Sequence, residues 1–438
     1  MDLLIIENVW MGGAKYGFFD KTLLTMFSVL PTLHARRMAA ITPKKHKIEL
    51  INERYNEIDF DKNYDLVNIN YATSSAPRAY YIADRFKKKG VKVVLSGLHA
   101  SGLPEEAKQH ADSVLLGLGE LNWLELLNDL EKDKLKPFYP PTKYDESISI
   151  PPTNVKLPGF VMTGAVEATR GCPYGCEFCR ETNIPGGSNF YKRPIDEVIS
   201  EIKSLPQRIF TFYDNSLTID PEYTKMLFRK MKGLHKRFSC NGNVNTLAND
   251  KELVRLSREA GCFSWIIGFE SVSQQTLDEV SKKTNKIIEY QKAINNIHNN
   301  RMSVIGYFVF GFDNDTKDVF ENTLEMIKNL NIDVADFCIL TPFPGTPLYN
   351  RLEKEKRIKS KDWAKYTMKN IVFEPKNMKS KELLNGVKKM YMEFYSYSYT
   401  IKRVLKSLKL GTYPFFIVLN RNAIANMNSR RLFSAGKT

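Results

Sequence analysis

The residues Gly164-Ala165-Val166-Glu167-Ala168-Thr169-Arg170-Gly171-Cys172-Pro173-Tyr174-Gly175-Cys176-Glu177-Phe178-Cys179 read as a short strand running straight into a glycine-containing loop. Three cysteines spaced four and then three apart on such a loop can wrap three corners of an iron-sulfur cube and leave one iron without a protein ligand. A structural zinc site is the alternative; it needs a fourth nearby Cys or His, and no His lies between His110 and His235. Downstream the pattern predicts strands near Arg208 to Tyr213, Arg237 to Cys240, Phe263 to Phe269, Met302 to Phe310 and Asp336 to Leu340, with helical patterns between them. With the strand near Gly164 to Thr169, this is an incomplete, (β/α)6 relative of the eight-unit barrel, with its chemistry at the carboxyl ends of the strands.

Upstream, apolar runs at Leu3 to Val9, Lys47 to Ile51, Leu66 to Ile69, Val91 to Leu95 and Ser113 to Leu116 alternate with amphipathic segments such as Arg78 to Lys89. The alternation predicts a doubly wound, Rossmann-like α/β domain whose ligand lies outside the carboxyl ends of its strands. Those ends are rich in small residues: Gly12 and Gly13 after Trp10, Thr73, Ser74 and Ser75, Gly97, then Gly117 and Gly119 before Glu120. A dense set of prolines from Pro137 to Pro158 marks a linker. The expected division is a Rossmann-like domain over 1–136, a linker over 137–160, a barrel over 161–352 and a basic, mainly helical region over 353–438.

The chain has 438 residues, 43% hydrophobic and 26% charged, which excludes disorder and small disulfide scaffolds. Lys and Arg number 64 against 49 Asp and Glu; the stretch from Arg351 holds 21 basic and 6 acidic residues, so the remainder is balanced. No run reaches the ~20 apolar residues of a spanning helix, and the first residues lack a leader pattern; the expected location is the cytoplasm. Six cysteines, three of them crowded together, favour thiolate-metal chemistry over disulfides. After Thr400 there is no Asp or Glu, and Ile401, Val404, Leu405 and Leu408 recur at helical spacing among Lys402, Arg403, Lys406 and Lys409, ahead of Tyr413-Pro414-Phe415-Phe416-Ile417. Such a surface suits peripheral contact with an anionic membrane.

At Cys172, Cys176 and Cys179, with Phe178 in the aromatic position before the last cysteine, the chain resembles the radical S-adenosylmethionine (radical SAM) superfamily. Further likenesses fall at strand ends: Tyr213-Asp214-Asn215-Ser216, Ser239-Cys240-Asn241-Gly242-Asn243, Ile267-Gly268-Phe269-Glu270-Ser271, Gly311 to Thr316 and Thr341 to Tyr349. The resemblance implies that the three cysteines hold a [4Fe-4S] cluster and that Asp214, Asn215, Asn241, Asn243 and Glu270 contact S-adenosylmethionine. The segments Gly90 to His99, Leu103 to Ala107 and Gly117 to Glu120 resemble the cobalamin-binding domain fused to many of these enzymes. That likeness implies a cobalamin site near Trp10, Gly12, Gly13, Thr73, Ser74, Ser75, Gly97, His99, Gly117, Gly119 and Glu120. An Asp-x-His-x-x-Gly motif for the lower cobalt ligand is absent, as is common in this fused family, and His99 lies on another loop where a structural role suits it. A degenerate Rossmann domain without cobalamin is the alternative.

Such enzymes split S-adenosylmethionine to a 5'-deoxyadenosyl radical, and the cobalamin-dependent members pass a methyl group from methylcobalamin to an unactivated carbon. The resemblance therefore implies a C-methyltransferase; the same family includes cyclases, oxidases and carbon-carbon coupling enzymes. The basic aromatic tail and the likeness of Glu393-Phe394-Tyr395-Ser396 to members with such substrates imply a lipid, isoprenoid or tetrapyrrole. The resemblance also implies a reducing partner such as flavodoxin or ferredoxin. An RNA-modifying methylase is disfavoured: Cys240, Cys262 and Cys338 read as small core residues. A methylthiotransferase would need three cluster cysteines ahead of Cys172, the first in the chain.

Overall fold

The computed structural model describes residues 1–7, 33–53, 56–141 and 163–434, with side chains to residue 425. Trp10, Gly12, Gly13 and the linker from 142 to 160 lie outside the described residues. Two compact units emerge: Met1–Gln207 with Pro342–Lys356 and Ser360–Thr367, and Arg208–Thr341 with Arg357–Lys359 and Met368–Thr438.

In the first unit, β1 (Asp2–Glu7), β2 (Lys47–Asn52), β3 (Leu66–Asn70), β4 (Lys92–Ser96), β5 (Ser113–Leu115) and β6 (Phe138–Tyr139) form one sheet in the order β2-β1-β3-β4-β5-β6. Every described pairing in it is parallel. Leu3, Leu4, Ile5 and Ile6 are all buried, the mark of a central strand covered on both faces. Helix Ala76–Lys88 turns Ala79, Ile82, Ala83 and Phe86 inward at helical spacing and carries Arg85, Lys87 and Lys88 in its last turn, where the helix dipole favours cations. The order of the strands reverses between β1 and β3, and a doubly wound sheet binds ligands at the carboxyl side of that switch. Strand β6 lies inside the proline-rich stretch read from sequence as linker. Among the described residues it pairs with β5 alone, and prolines are tolerated beside such an edge.

The first unit also holds β7 (Thr163–Val166) and a short antiparallel pair, β8 (Thr169–Arg170) with β9 (Tyr191–Lys192). In the second unit, β10 (Ile209–Phe212), β11 (Arg237–Asn241), β12 (Cys262–Glu270), β13 (Ser303–Phe310) and β14 (Val334–Ile339) run parallel in sequential order. Strands β7 and β10 to β14 fall at the six stretches of sequence expected to form strands. Helices separate the later ones, with Phe238, Trp265 and Phe308 fully buried.

Strand β14 ends the sheet, and the tail closes its open edge. The Ala335 amide donates to the Tyr395 hydroxyl (3.2 Å), the Phe337 amide to the Tyr391 hydroxyl (3.1 Å) and the Ile339 amide to the Met368 carbonyl (2.8 Å). Both tyrosines stand at the end of helix Ser380–Phe394, four residues apart and therefore on one face. The remaining tail forms helices Tyr397–Ser407 and Thr412–Ser434. One expectation for this region is corrected: Arg403 does not belong to the exposed basic face. Its guanidinium lies 3.8 Å over the Phe394 ring and donates to the Phe394 carbonyl (2.7 Å) and Asn422 Oδ1 (2.6 Å). Burial lowers its pKa to about 10.

Candidate functional site

The cluster loop is fixed by its backbone. Gly171 has φ +77°, and a Cβ there would stand 1.7 Å from the Asn189 carbonyl oxygen, so only glycine fits. The Cys172 amide donates to the Gly187 carbonyl (2.9 Å) and the Cys179 amide to the Cys176 carbonyl (3.1 Å). Thr182 Oγ1 donates to the Cys172 carbonyl (2.6 Å), and Asn183 Nδ2 to the carbonyls of Cys176 (3.0 Å) and Cys179 (2.6 Å). Glu177 accepts from Arg351 Nε at 2.7 Å, and its carbonyl receives the Leu348 amide at 3.3 Å. These anchors fix the loop through its backbone carbonyls and amides. Cys176 is buried, whereas Cys172, Cys179 and Phe178 are half-buried. None of the six cysteines is in a disulfide. Among the described residues no three His, Cys, Asp or Glu side chains gather as ligands of a single ion. Cys172, Cys176 and Cys179 are the residues of this loop that could hold an iron-sulfur cluster. Arg351, Thr182 and Asn183 were missed from sequence, because nothing local marks a side chain that serves a loop's carbonyls.

At the carboxyl end of the first sheet, Thr73–Ser75 form a single 3-10 turn leading into helix Ala76–Lys88, and no side chain caps that helix. Gly97 has φ +101°, and a Cβ on it would lie 2.6 Å from the Tyr71 carbonyl oxygen, so the ends of β3 and β4 approach at backbone distance. The Gly117 amide donates to Ser101 Oγ (2.9 Å), and a Cβ on Gly117 would meet the Pro185 carbonyl oxygen at 2.2 Å. The turn after β5 therefore abuts the segment that comes after the cluster cysteines; Gly119 lies beside Leu115. His99 is fully buried: its Nε2 faces Glu106 Oε1 at 3.3 Å, and its ring packs 5.1 Å from that of Trp363. The same Glu106 oxygen accepts from Tyr80 (2.9 Å) and Trp363 Nε1 (2.8 Å).

Glu120, at the end of that turn, is buried beside Arg37, Arg170 and His34. Burial pushes its carboxyl up, but the charges of Arg170, His34 and Arg37 outweigh it and bring the pKa down to about 2. Glu7 goes the other way: burial carries it to about 7 against the amides that donate to it.

In the second unit Asp214 is fully buried and its carbonyl accepts from Asn241 Nδ2 (2.8 Å), which brings the ends of β10 and β11 together; Asn215 beside it is exposed. The Asn243 amide donates to Thr218 Oγ1 (2.7 Å), while its side-chain Nδ2 is buried without a partner among the described residues. Such an orphaned donor suits a polar ligand. Glu270 sits at a register shift in β12 with φ +64°, and its Oε1 accepts from Lys282 at 3.0 Å. Bulges of this kind re-aim side chains near active sites. Asn285 and Tyr290 hold the backbone around it, both donating to the Phe269 carbonyl (3.0 and 2.8 Å). Cys240, Cys262 and Cys338 are buried, and burial pushes the Cys338 thiol up to about 12.

Residues 166–327 match the family model of the Radical SAM superfamily, and 346–428 match a domain of unknown function, DUF4070. The chain is 32% identical over 383 residues to bacteriochlorophyllide d C-12(1)-methyltransferase of Chlorobaculum tepidum, spanning 84% of this chain and 83% of that protein. It is 30% identical over 390 residues to the bacteriochlorophyllide d C-8(2)-methyltransferase of the same organism, across 84% and 86%. Its fold is similar to that of the radical SAM methyltransferase TsrM from Kitasatospora setae, solved with cobalamin and a [4Fe-4S] cluster bound. The TM-score is 0.72 at 13% identity, over 98% of this chain and 99% of that one.

Proposed function

This chain belongs to the family of its bacteriochlorophyllide methyltransferase relatives and carries a radical SAM domain, and from that membership we propose that it methylates an unactivated carbon of a tetrapyrrole-like substrate with the help of cobalamin. The observation that carries the reading is the cluster loop, where backbone bonds and the Thr182 and Asn183 side chains hold Cys172, Cys176 and Cys179 together on one turn. Two bacteriochlorophyllide methyltransferases at 30% identity or above, matched over more than four-fifths of their length, support the substrate class.

When bound, the cluster and S-adenosylmethionine supply a carbon radical, and cobalamin supplies the methyl group. The chain's part is placement. Cys172, Cys176 and Cys179 hold the metal, and Asn241, Asn243 and Glu270 offer polar contacts for the amino-acid and ribose groups of S-adenosylmethionine. Asp214 orients Asn241 through its carbonyl, and Asn215 extends the same turn. Thr73, Ser74 and Ser75 are the proposed corrin contacts, beside the turns at Gly97, Gly117 and Gly119, whose missing side chains admit Tyr71, Pro185 and Leu115 of this chain. A flavodoxin or ferredoxin is the proposed electron source.

Anaerobic purification with iron, sulfide and cobalamin quantified, followed by assays with bacteriochlorophyllide d, tests this. About four irons and one cobalamin per chain, with methylated product, are expected. Turnover of S-adenosylmethionine by protein that retains no cobalamin would overturn methyl transfer.

Membrane contact is proposed for the tail. Ile401, Leu405, Leu408 and Phe416 are each 54–59% exposed and alternate with the exposed Lys402, Lys406 and Lys409. Apolar side chains among lysines match an anionic bilayer surface, where each Lys adds about 1 kcal/mol. Among the described residues no helix is long and apolar enough to cross a membrane. The double variant Ile401→Glu/Leu405→Glu is expected to lose sedimentation with phosphatidylserine vesicles by at least about tenfold. Equal sedimentation of variant and wild type removes this part of the reading.

A further inference from the structure

We propose that Glu120 is a positioning residue for the cluster loop, acting through Arg170. This rests on the reading that Cys172, Cys176 and Cys179 hold an iron-sulfur cluster. Four side chains, three of them buried and Glu167 half-buried, alternate in sign around a closed ring. Glu120 pairs with Arg170, Arg170 Nε with Glu167 Oε2 at 2.9 Å, Glu167 with Arg37, and Arg37 with Glu120 Oε1 at 3.9 Å. Each side chain is no more than 15% exposed. His34 Nδ1 stands 3.7 Å from the other oxygen of Glu120, so both oxygens face nitrogen partners of this chain.

The ring's members come from both ends of the first unit. Glu120 comes after β5, and Arg37 lies on helix Leu33–Ile41. Glu167 and Arg170 flank the start of β8, and Arg170 is joined directly to Gly171, ahead of Cys172. The Arg170 guanidinium stands between two carboxylates as ion pairs, and its Nε and Nη1 and both Glu120 oxygens make no hydrogen bond among the described residues, so attraction between charges is what holds the side chain. That attraction ties the entrance of the loop at Arg170, and with it the direction of the first thiolate. The side chain at the end of the Gly117–Glu120 turn thus serves the metal loop rather than the corrin.

The test is Glu120→Gln in the full-length chain, purified anaerobically, with cobalamin content, the electron paramagnetic resonance spectrum of the reduced cluster and iron release to a ferrous chelator as readouts. Iron release about tenfold faster than wild type is expected, the scale for losing an outer-shell partner of a metal ligand. An altered spectrum and wild-type cobalamin should accompany it, with partial rescue by Glu120→Asp. Wild-type iron release and spectrum overturn the proposal, as does loss of cobalamin with the cluster undisturbed. If Glu120→Gln does not fold, Arg170→Gln removes the other charge of the pair and is read the same way. Wild-type protein that binds no iron fails the cluster reading itself.

Discussion

Cys176→Ala is expected to leave a folded protein that no longer cleaves S-adenosylmethionine, with activity below about a thousandth of wild type. The backbone at Cys176 is held independently of its sulfur: its carbonyl accepts from Asn183 Nδ2 at 3.0 Å and from the Cys179 amide at 3.1 Å. Alanine keeps both bonds, so the substitution subtracts a thiolate and little else. A cluster with two protein ligands in place of three is expected to be lost during purification, and iron analysis with absorbance near the thiolate-iron charge-transfer bands reads that loss. A variant that retains iron and cleaves S-adenosylmethionine would show that these thiols do not carry the metal.

The second large effect is expected at a neighbouring position. Gly171→Ala adds a Cβ that would lie 1.7 Å from the Asn189 carbonyl oxygen and 3.1 Å from that of Gly187, at φ +77°. The left-handed backbone alone costs about 1–2 kcal/mol. The contact with backbone cannot be relieved by a rotamer, so the turn must open and the 2.9 Å bond from the Cys172 amide to Gly187 is lost. A total of about 3–5 kcal/mol is expected, together with failure to assemble the cluster. Gly175→Ala is the control: φ is +65°, but no atom lies within 4 Å, so only the backbone cost applies. Thermal melting with iron content checks both, and equal behaviour of the two variants would contradict the close approach at Gly171.

The strands were legible because parallel strands buried on both faces leave unbroken apolar runs such as Leu3 to Ile6. The metal loop was legible because thiol spacing is local. What escaped was either short or distant. Strand β6 is two residues between prolines, too brief for any periodicity. Trp363 reaches Glu106 across 257 positions, and Arg37 reaches Glu167 across 130. Periodicity names a face but not its partner, which is why Arg403 read as one more surface cation when its neighbours Phe394 and Asn422 make a buried seat for it. Glu270 was found by motif, but its left-handed backbone, the feature that aims it, has no sequence signature in a non-glycine residue.

The hydroxyls of Tyr391 and Tyr395 occupy amides that would otherwise template a strand from another molecule. Both parts of the tail serve that sheet: the two tyrosines hold amides of β14, while beyond Ser396 Val418 packs with Val404 and Ile417 on Ile305 and Val334, and Asn422 Nδ2 donates to the Asp333 carbonyl (3.2 Å). A cut beyond Thr400 keeps the two tyrosines but uncovers Ile305 and Val334, whereas any cut ahead of Tyr391 also frees the amides as a sticky ribbon, and insolubility of either fragment would report on this cover and not on catalysis.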